Sequence, residues 1–163
     1  MKQYKKLLGH SLVELLTILS LMTFLIGIAI NQFTAFKVRL EAQRVFYHLE
    51  QAIVLGRSMA QTENETCFIC PINMNTMCGH DWNKGFMLAI NKGQSKVRIL
   101  KKYPGAKYGY LEKGAFYQGL HKLVFKPQAP ETLASRGHFT YYYQGKIMGK
   151  LMINQNMVYQ TKS

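Results

Sequence analysis

The sequence GHSLVELLTILSLMTFLIGIAI, from Gly9 to Ile30, decides how the rest of the chain is organised. From Leu12 onward it is apolar apart from small hydroxyl side chains and one carboxylate, Glu14. A helix needs about 20 apolar residues to cross the hydrocarbon core of a bilayer, so this stretch predicts a transmembrane helix. Lysines at positions 2, 5 and 6 precede it, which favours an N-terminus that stays in the cytoplasm.

Glu14 is an unusual residue for such a helix. A carboxylate at bilayer depth costs roughly 2.5–3.5 kcal/mol on insertion scales, so its presence suggests a cationic partner. The nearest plausible cation is an α-amine at His10, made by cleavage after Gly9. A removable secretory signal peptide fits less well, because no small-x-small cleavage site follows the apolar run.

The segment GHSLVELL, from Gly9 to Leu16, resembles the class III leader junction of type IV pilins and type II secretion pseudopilins. In that family a prepilin peptidase cuts after the glycine and methylates the new N-terminus, and the glutamate five residues in pairs with a neighbouring subunit's amine. The resemblance therefore implies cleavage between Gly9 and His10, N-methylation at His10 and an assembly role for Glu14. The first mature residue is usually Phe and is His10 here. An unprocessed signal anchor is the alternative.

The helical pattern continues beyond the apolar run. Between Val38 and Ala60, apolar residues recur at spacings of three and four, and the charged residues fall mainly on the other faces. No proline occurs before Pro71. We therefore expect one helix from about Ser11 to about Ala60, with its first half in the membrane and its second half packed on a sheet.

The predicted fold class is α+β, a long N-terminal helix packed on a β-rich antiparallel head. The predicted divisions are a leader peptide at 1–9, the transmembrane part of the helix at 10–30, its amphipathic second half at 31–62, and a periplasmic head at 63–163. Alternating and apolar runs predict strands over residues 82–90, 96–100, 120–125, 137–144, 150–153 and 157–160. Residues 105–119, rich in glycine, lysine and tyrosine, read as a loose loop.

Three cysteines, Cys67, Cys70 and Cys78, open the head. The spacing Cys67-x-x-Cys70 fits half of a zinc site, for which His80 could supply a ligand, or a redox pair. An exported, oxidising compartment favours a disulfide instead.

A second resemblance bears on these cysteines. The segment TCFICP at 66–71, followed by Cys78, Trp82 and Gly85, is similar to FimT/GspH-type minor pilins. That similarity implies a disulfide between Cys70 and Cys78 and leaves Cys67 as a buried thiol on a strand.

The charge is strongly asymmetric. The chain carries a net charge of +13, and the part from Cys67 onward holds 14 Lys and Arg against 3 Asp and Glu, a net charge of +11. So basic a surface attracts polyanions such as DNA, acidic headgroups or acidic proteins. The candidate DNA contacts are Lys101, Lys102, Lys107, Lys146 and Lys150. Residues 141–143, three tyrosines near the last two lysines, could stack bases or serve as ordinary strand residues.

In the FimT branch, DNA uptake is linked to a Gly-Arg-x-Arg element near the C-terminus. The matching positions here, 156–159, read Asn-Met-Val-Tyr, so those contacts are not carried over.

The sequence does not predict an enzyme. The histidines show no ligand or triad spacing, and neither a phosphate-binding glycine loop nor a carboxylate pair is evident. We expect no cofactor and no metal.

The sequence predicts a minor pilin or pseudopilin of the FimT/GspH type, acting in assembly or initiation of a type IV pilus, with a link to DNA uptake to be tested. The alternatives are a minor pseudopilin of type II secretion and a membrane-mounted, non-specific DNA receptor. The expected partners are a prepilin peptidase, other pilin or pseudopilin subunits, the inner membrane and, in the DNA hypotheses, DNA. The expected location is the bacterial inner membrane, single-pass with a periplasmic head, and a pilus or pseudopilus after assembly.

Overall fold

A computed structural model describes residues 11–73, 78–93, 97–114, 121–127, 137–154 and 158–161. The chain divides into two units, Met1–Lys37 and Val38–Ser163, which are taken separately below. One helix, α1 (Leu12–Glu63, 52 residues), contributes to both. The prediction of a single long helix is confirmed, and the helix ends three residues later than expected. Gly9 and His10 lie outside the described residues, as do residues 96, 120 and 157 of the predicted strands.

In the first unit, α1 begins with an N-cap. The Ser11 hydroxyl oxygen accepts a hydrogen bond from the Glu14 backbone N–H at 3.3 Å. The two residues have the S-x-x-E spacing of a capping box, which satisfies amide groups that have no partner within the helix. Glu14 lies in the first turn, where the helix dipole favours a negative charge.

The small hydroxyls of the apolar run are satisfied within the helix. Thr17, Ser20 and Thr23 each donate to the carbonyl three residues earlier, at 2.8–2.9 Å. The large apolar side chains between Leu12 and Ile30 are all exposed, and by length and composition this segment can cross a membrane. The described part of the first unit therefore presents a continuous apolar surface from Leu12 to Ile30, and three hydroxyl groups within it are hydrogen-bonded to the helix backbone.

The second unit contains two four-stranded antiparallel sheets besides the rest of α1. Its strands are β1 (Thr66–Pro71), β2 (Phe86–Asn91), β3 (Val97–Tyr103), β4 (Tyr110–Lys113), β5 (Leu123–Phe125), β6 (Gly137–Tyr143), β7 (Lys146–Ile153) and β8 (Val158–Thr161). The first sheet has the order β3-β2-β1-β5, and the second has the order β4-β6-β7-β8. The α+β class is confirmed.

The core lies where α1 meets both sheets. One cluster of buried side chains joins Val45, Leu49 and Ile53 of the helix to strands of each sheet, such as Leu88 and Tyr141. The apolar stripe predicted after Val38 is therefore a core face. It stabilises the head by removing apolar surface from water.

Two glycines allow this close approach. A Cβ added at Gly56 would lie 2.9 Å from ring carbons of Phe125 in the first sheet. One added at Gly149 in the second sheet would lie 2.9 Å from the ring of Phe46 on α1. Helix and sheets thus pack at distances that larger residues would not permit.

Three strand predictions need correction. Residues 82–90 are not one strand: Trp82–Lys84 forms a 3-10 turn, which Asp81 caps by accepting a hydrogen bond from the Asn83 N–H at 3.0 Å, and β2 starts only at Phe86. The loop expected at 105–119 contains β4. Strand β7 begins at Lys146, because Gln144 and Gly145, both with positive φ, form a tight hairpin turn between β6 and β7.

Candidate functional site

A disulfide between Cys70 and Cys78 braces the start of the head, with the two Cα atoms 5.4 Å apart. This pairing, implied by the resemblance, is confirmed. Cys67 is a free thiol on the same strand, and it is buried as expected. Burial foremost, and the nearby Glu63 carboxylate, raise the pKa of Cys67 to about 11, so the unreactive thiol form persists at neutral pH.

The Cys67-x-x-Cys70 spacing does not build a joint site. Residues three apart on a strand face opposite sides of the sheet, and these two cysteines belong to separate buried clusters. Within the described residues, no group of three or more His, Cys, Asp or Glu side chains could hold a metal ion. The structure does bring His80 and His121 together, with ring centroids 4.2 Å apart. Sequence reasoning missed this pair because 41 positions separate the two histidines.

A partly buried ion pair between Glu41 and Arg44 of α1 holds the segment that connects the two sheets. The Glu41 side chain is only 8% exposed, and its carboxylate accepts two hydrogen bonds from Arg44 at 2.8 and 3.0 Å and one from the Lys107 backbone N–H at 2.9 Å. Arg44 also donates to the Gly105 carbonyl at 3.0 Å. Burial opposes ionisation, but these donors outweigh it and hold the pKa of Glu41 below its ordinary value. Glu41 is thus an exception to the expectation that helix charges fall mainly on exposed faces.

The five candidate lysines are distributed over the head. Lys101 and Lys102 lie on β3, the edge of the first sheet, whereas Lys146 and Lys150 lie on β7 in the second. Lys107 follows β3 in the link to β4, with its ammonium 5.6 Å from the Tyr108 ring centroid. The structure therefore places the candidate DNA contacts on two sheets and a connecting segment, and only the two pairs are close in sequence.

The tyrosines at 141–143 differ in their environments. Tyr141 is fully buried, and its hydroxyl accepts a hydrogen bond from the Gly109 N–H at 2.9 Å, so it cannot stack on a base. Tyr142 is half-buried and stacks on Tyr110 of β4, with ring centroids 5.0 Å apart and 12° between the planes. The base-stacking hypothesis is therefore wrong for Tyr141, and the aromatic pair available for such a contact is Tyr110 and Tyr142.

Two half-buried histidines, His48 and His138, have pKa values below the ordinary value of the side chain. Burial first, and then Arg44 and Lys101, lower the pKa of His48, and Glu41 only partly opposes them. Burial first, and then Lys150, lower the pKa of His138, against Glu112. In both cases the folded head favours the neutral imidazole.

We expect the melting temperature to fall by a few degrees as the pH is lowered from about 7.5 to about 5.5. A histidine whose folded pKa lies below its ordinary 6.5 binds more protons in the unfolded chain, so stability is complete above that pH and is lost below it. Thermal melts of the full chain in detergent across this range measure the effect. The double variant His48→Gln, His138→Gln should show a flatter profile, and an unchanged slope would contradict the assignment.

Comparison with known proteins relates the fold to one class of solved structure. No protein-family model matches the chain, and no curated protein matches it in sequence. Two crystal forms of the type IV minor pilin FimU of Pseudomonas aeruginosa are similar in structure. The first has a TM-score of 0.56 at 20% identity over 77% of this chain and 92% of that chain. The second has a TM-score of 0.53 at 19% identity over 73% and 91%. The chain thus has a type IV pilin-like fold.

Proposed function

We propose that the chain is a minor pilin, a non-catalytic subunit that is held in the inner membrane and then incorporated into a type IV pilus, where it supports assembly or initiation. One observation carries this proposal. The apolar surface of α1 from Leu12 to Ile30 is exposed in the isolated chain, while the same helix continues as the core of a β-rich head. Such a surface needs lipid or neighbouring helices to cover it. A filament subunit is surrounded by lipid before assembly and by neighbouring helices in the filament.

The likeness to FimU in fold supports this choice, since it extends over most of both chains. The proposal includes the divisions at 1–9, 10–30, 31–62 and 63–163. In it, a prepilin peptidase cuts between Gly9 and His10 and methylates the new amine, and the Glu14 carboxylate pairs with that amine on an adjacent subunit. FimT/GspH type is the finer class that the cysteine pattern favours, with the head in the periplasm.

The test is to find the protein in filaments. An epitope-tagged full chain is expressed in its own host, surface filaments are sheared off, and the sheared and membrane fractions are compared by immunoblot. We expect the tagged chain in the sheared fraction in far smaller amount than the major subunit, with loss of surface filaments when its gene is deleted. If the deletion instead abolishes protein secretion and spares the filaments, the chain is a type II secretion pseudopilin. Confinement to the membrane fraction would contradict both.

A second candidate function is non-specific DNA binding by the head, as a membrane-mounted receptor or within a DNA-uptake pilus. The observation that favours it is the net charge of +11 from Cys67 onward together with the exposed Tyr110 ring stacked on Tyr142. Binding of this kind is carried by phosphate contacts and weakens steeply with salt. The test is to titrate the full chain in detergent with single- and double-stranded DNA at two salt concentrations. Absence of binding at low salt would exclude the DNA-binding function.

A further inference from the structure

A cleft of about 260 Å³ lies between α1 and the outer strands of the second sheet. We call it the Arg39 cleft. Its helix side is formed chiefly by Arg39, Gln43 and Phe46, and its sheet side by Met148 of β7 with Gln160 and Thr161 of β8. All of these residues belong to the second unit.

The floor of the Arg39 cleft is apolar and its rim is polar. Phe46 is buried and packs directly against Gly149, and Met148 lies beside them. Arg39, Gln43 and Gln160, which are exposed polar residues of the lining, make up the part of the cleft that we call its rim. Within the described part of the chain, none of these three polar side chains has a hydrogen bond or an ion pair.

This combination suits an aliphatic carboxylate. A guanidinium can bind both oxygens of one carboxylate through two parallel hydrogen bonds, and the carboxamides add further donors. The methylene groups of an Asp or Glu side chain would lie on the apolar floor. Among the described residues that line the cleft, Arg39 carries the single positive charge, which matches one carboxylate better than a dianionic phosphate.

The surroundings of the cleft indicate that its ligand belongs to a protein. Leu40 and Tyr47 occupy the helix positions three before and four after Gln43, so they adjoin it on the surface of α1. Their side chains are 48% and 56% exposed, and Val54, one heptad further, is also exposed. An exposed apolar stripe of this kind marks a surface that another protein covers. A segment lying on the stripe would bring its side chains to the mouth of the Arg39 cleft.

We propose that the Arg39 cleft binds an aspartate or glutamate side chain of a neighbouring subunit that is a different protein from this chain. A second copy is a poor partner because this chain carries a net charge of +13, with 8 acidic residues against 21 basic ones. The identity of the partner as a filament subunit rests on the proposed function, whereas the carboxylate chemistry rests on the cleft alone.

Site-specific photo-cross-linking in the host tests this inference. The full chain carries p-benzoylphenylalanine in place of Tyr47, an exposed aromatic residue on the stripe beside the cleft, and the cross-linked peptide is identified by mass spectrometry. We expect a cross-link to a segment of another protein that contains an Asp or Glu. The further change Arg39→Gln should reduce its yield at least about tenfold, because a charge-assisted bond is lost, and Arg39→Lys should retain part of it. Lys126→Gln, which removes a positive charge at an exposed site just after β5 in the first sheet, is the matched control and should leave the yield unchanged.

The outcomes separate this inference from the proposed function. A yield that is indifferent to Arg39→Gln, a cross-linked peptide without an acidic residue, or a cross-link to lipid or to a second copy would overturn the carboxylate site, even if the chain is found in sheared filaments. An Arg39-dependent cross-link to an acidic segment, in a chain that never reaches filaments, would sustain the site and overturn the pilin proposal.

Discussion

Replacing Glu14 by glutamine is expected to leave α1 folded and inserted, yet to lower incorporation into filaments at least about tenfold. Glutamine retains the S-x-x-Q spacing with Ser11, so the capping box survives and only the negative charge is removed. A hydrogen bond to a charged group contributes about 1.5–3 kcal/mol, which corresponds to roughly a tenfold to hundredfold change in an assembly equilibrium. The measurement is the ratio of sheared-filament protein to membrane protein by immunoblot.

The choice of glutamine matters because Glu14 has two candidate roles. Alanine would remove the charge together with the side chain that the S-x-x-E pattern of a capping box requires, and a defect could then arise from a frayed helix. Glu14→Asp, which keeps the charge, is the matched control and should incorporate better than Glu14→Gln. Normal incorporation of the glutamine variant would mean that the residue serves the N-cap and that its proposed pairing with the His10 amine is wrong.

The elements that could be predicted from the sequence depend on local pattern. Residues 12–30 form an apolar run and residues 38–60 carry an apolar stripe of helical period, with no proline in the helix, so the helix and its buried stripe followed directly. The hairpin β2–β3 could be predicted because an apolar run is followed by Asn91, Lys92 and Gly93, residues typical of turns, although Asn91 itself is the last residue of β2. The disulfide was implied by the likeness of a short motif to a known family, since spacing by itself left zinc and redox alternatives open.

The features that could not be predicted depend on contacts between distant residues. Glu41 lies 66 positions from Lys107, and no property of the helix sequence marks it as a buried carboxylate. Strand β4 has four residues and one buried side chain, Leu111, which is too short for a visible alternation. The Arg39 cleft likewise joins helix positions to strands more than 100 residues later.

The segment between β3 and β4 is where these distant contacts converge. It connects the two sheets, and α1 fastens it through Glu41 and Arg44. The 3-10 turn is close to this segment at Gly105, where Asn83 and Gly85 are the nearest neighbours, and the Asn83 side chain also accepts a hydrogen bond from the Leu111 N–H in β4 at 2.5 Å. The 3-10 turn and the helix therefore both contact this link. The stability of the head should depend strongly on Gly105, where this segment lies closest to the backbone of the 3-10 turn.

We expect Gly105→Ala to lower the free energy of unfolding by about 3 kcal/mol or more. An added Cβ would overlap the Asn83 carbonyl oxygen and lie 2.5 Å from the Gly85 backbone nitrogen. Both obstacles are backbone atoms, so no side-chain rotation relieves the clash and the link must move. Overpacking of a close-packed site costs about 1–3 kcal/mol, and more where backbone must shift. Such a shift would also disturb the hydrogen bond from Arg44 to the Gly105 carbonyl.

The effect is measured by urea unfolding of the full chain in detergent, followed by the fluorescence of its single tryptophan. Trp82 reports on this site because it is buried in the 3-10 turn that Gly105 contacts. Gly93→Ala is the matched control. An added Cβ there meets nothing within 4 Å, and its φ of +47° should cost only about 1–2 kcal/mol for a residue other than glycine. Equal urea midpoints for Gly105→Ala and Gly93→Ala would contradict this prediction. They would show that the segment between β3 and β4 can shift at little cost in stability.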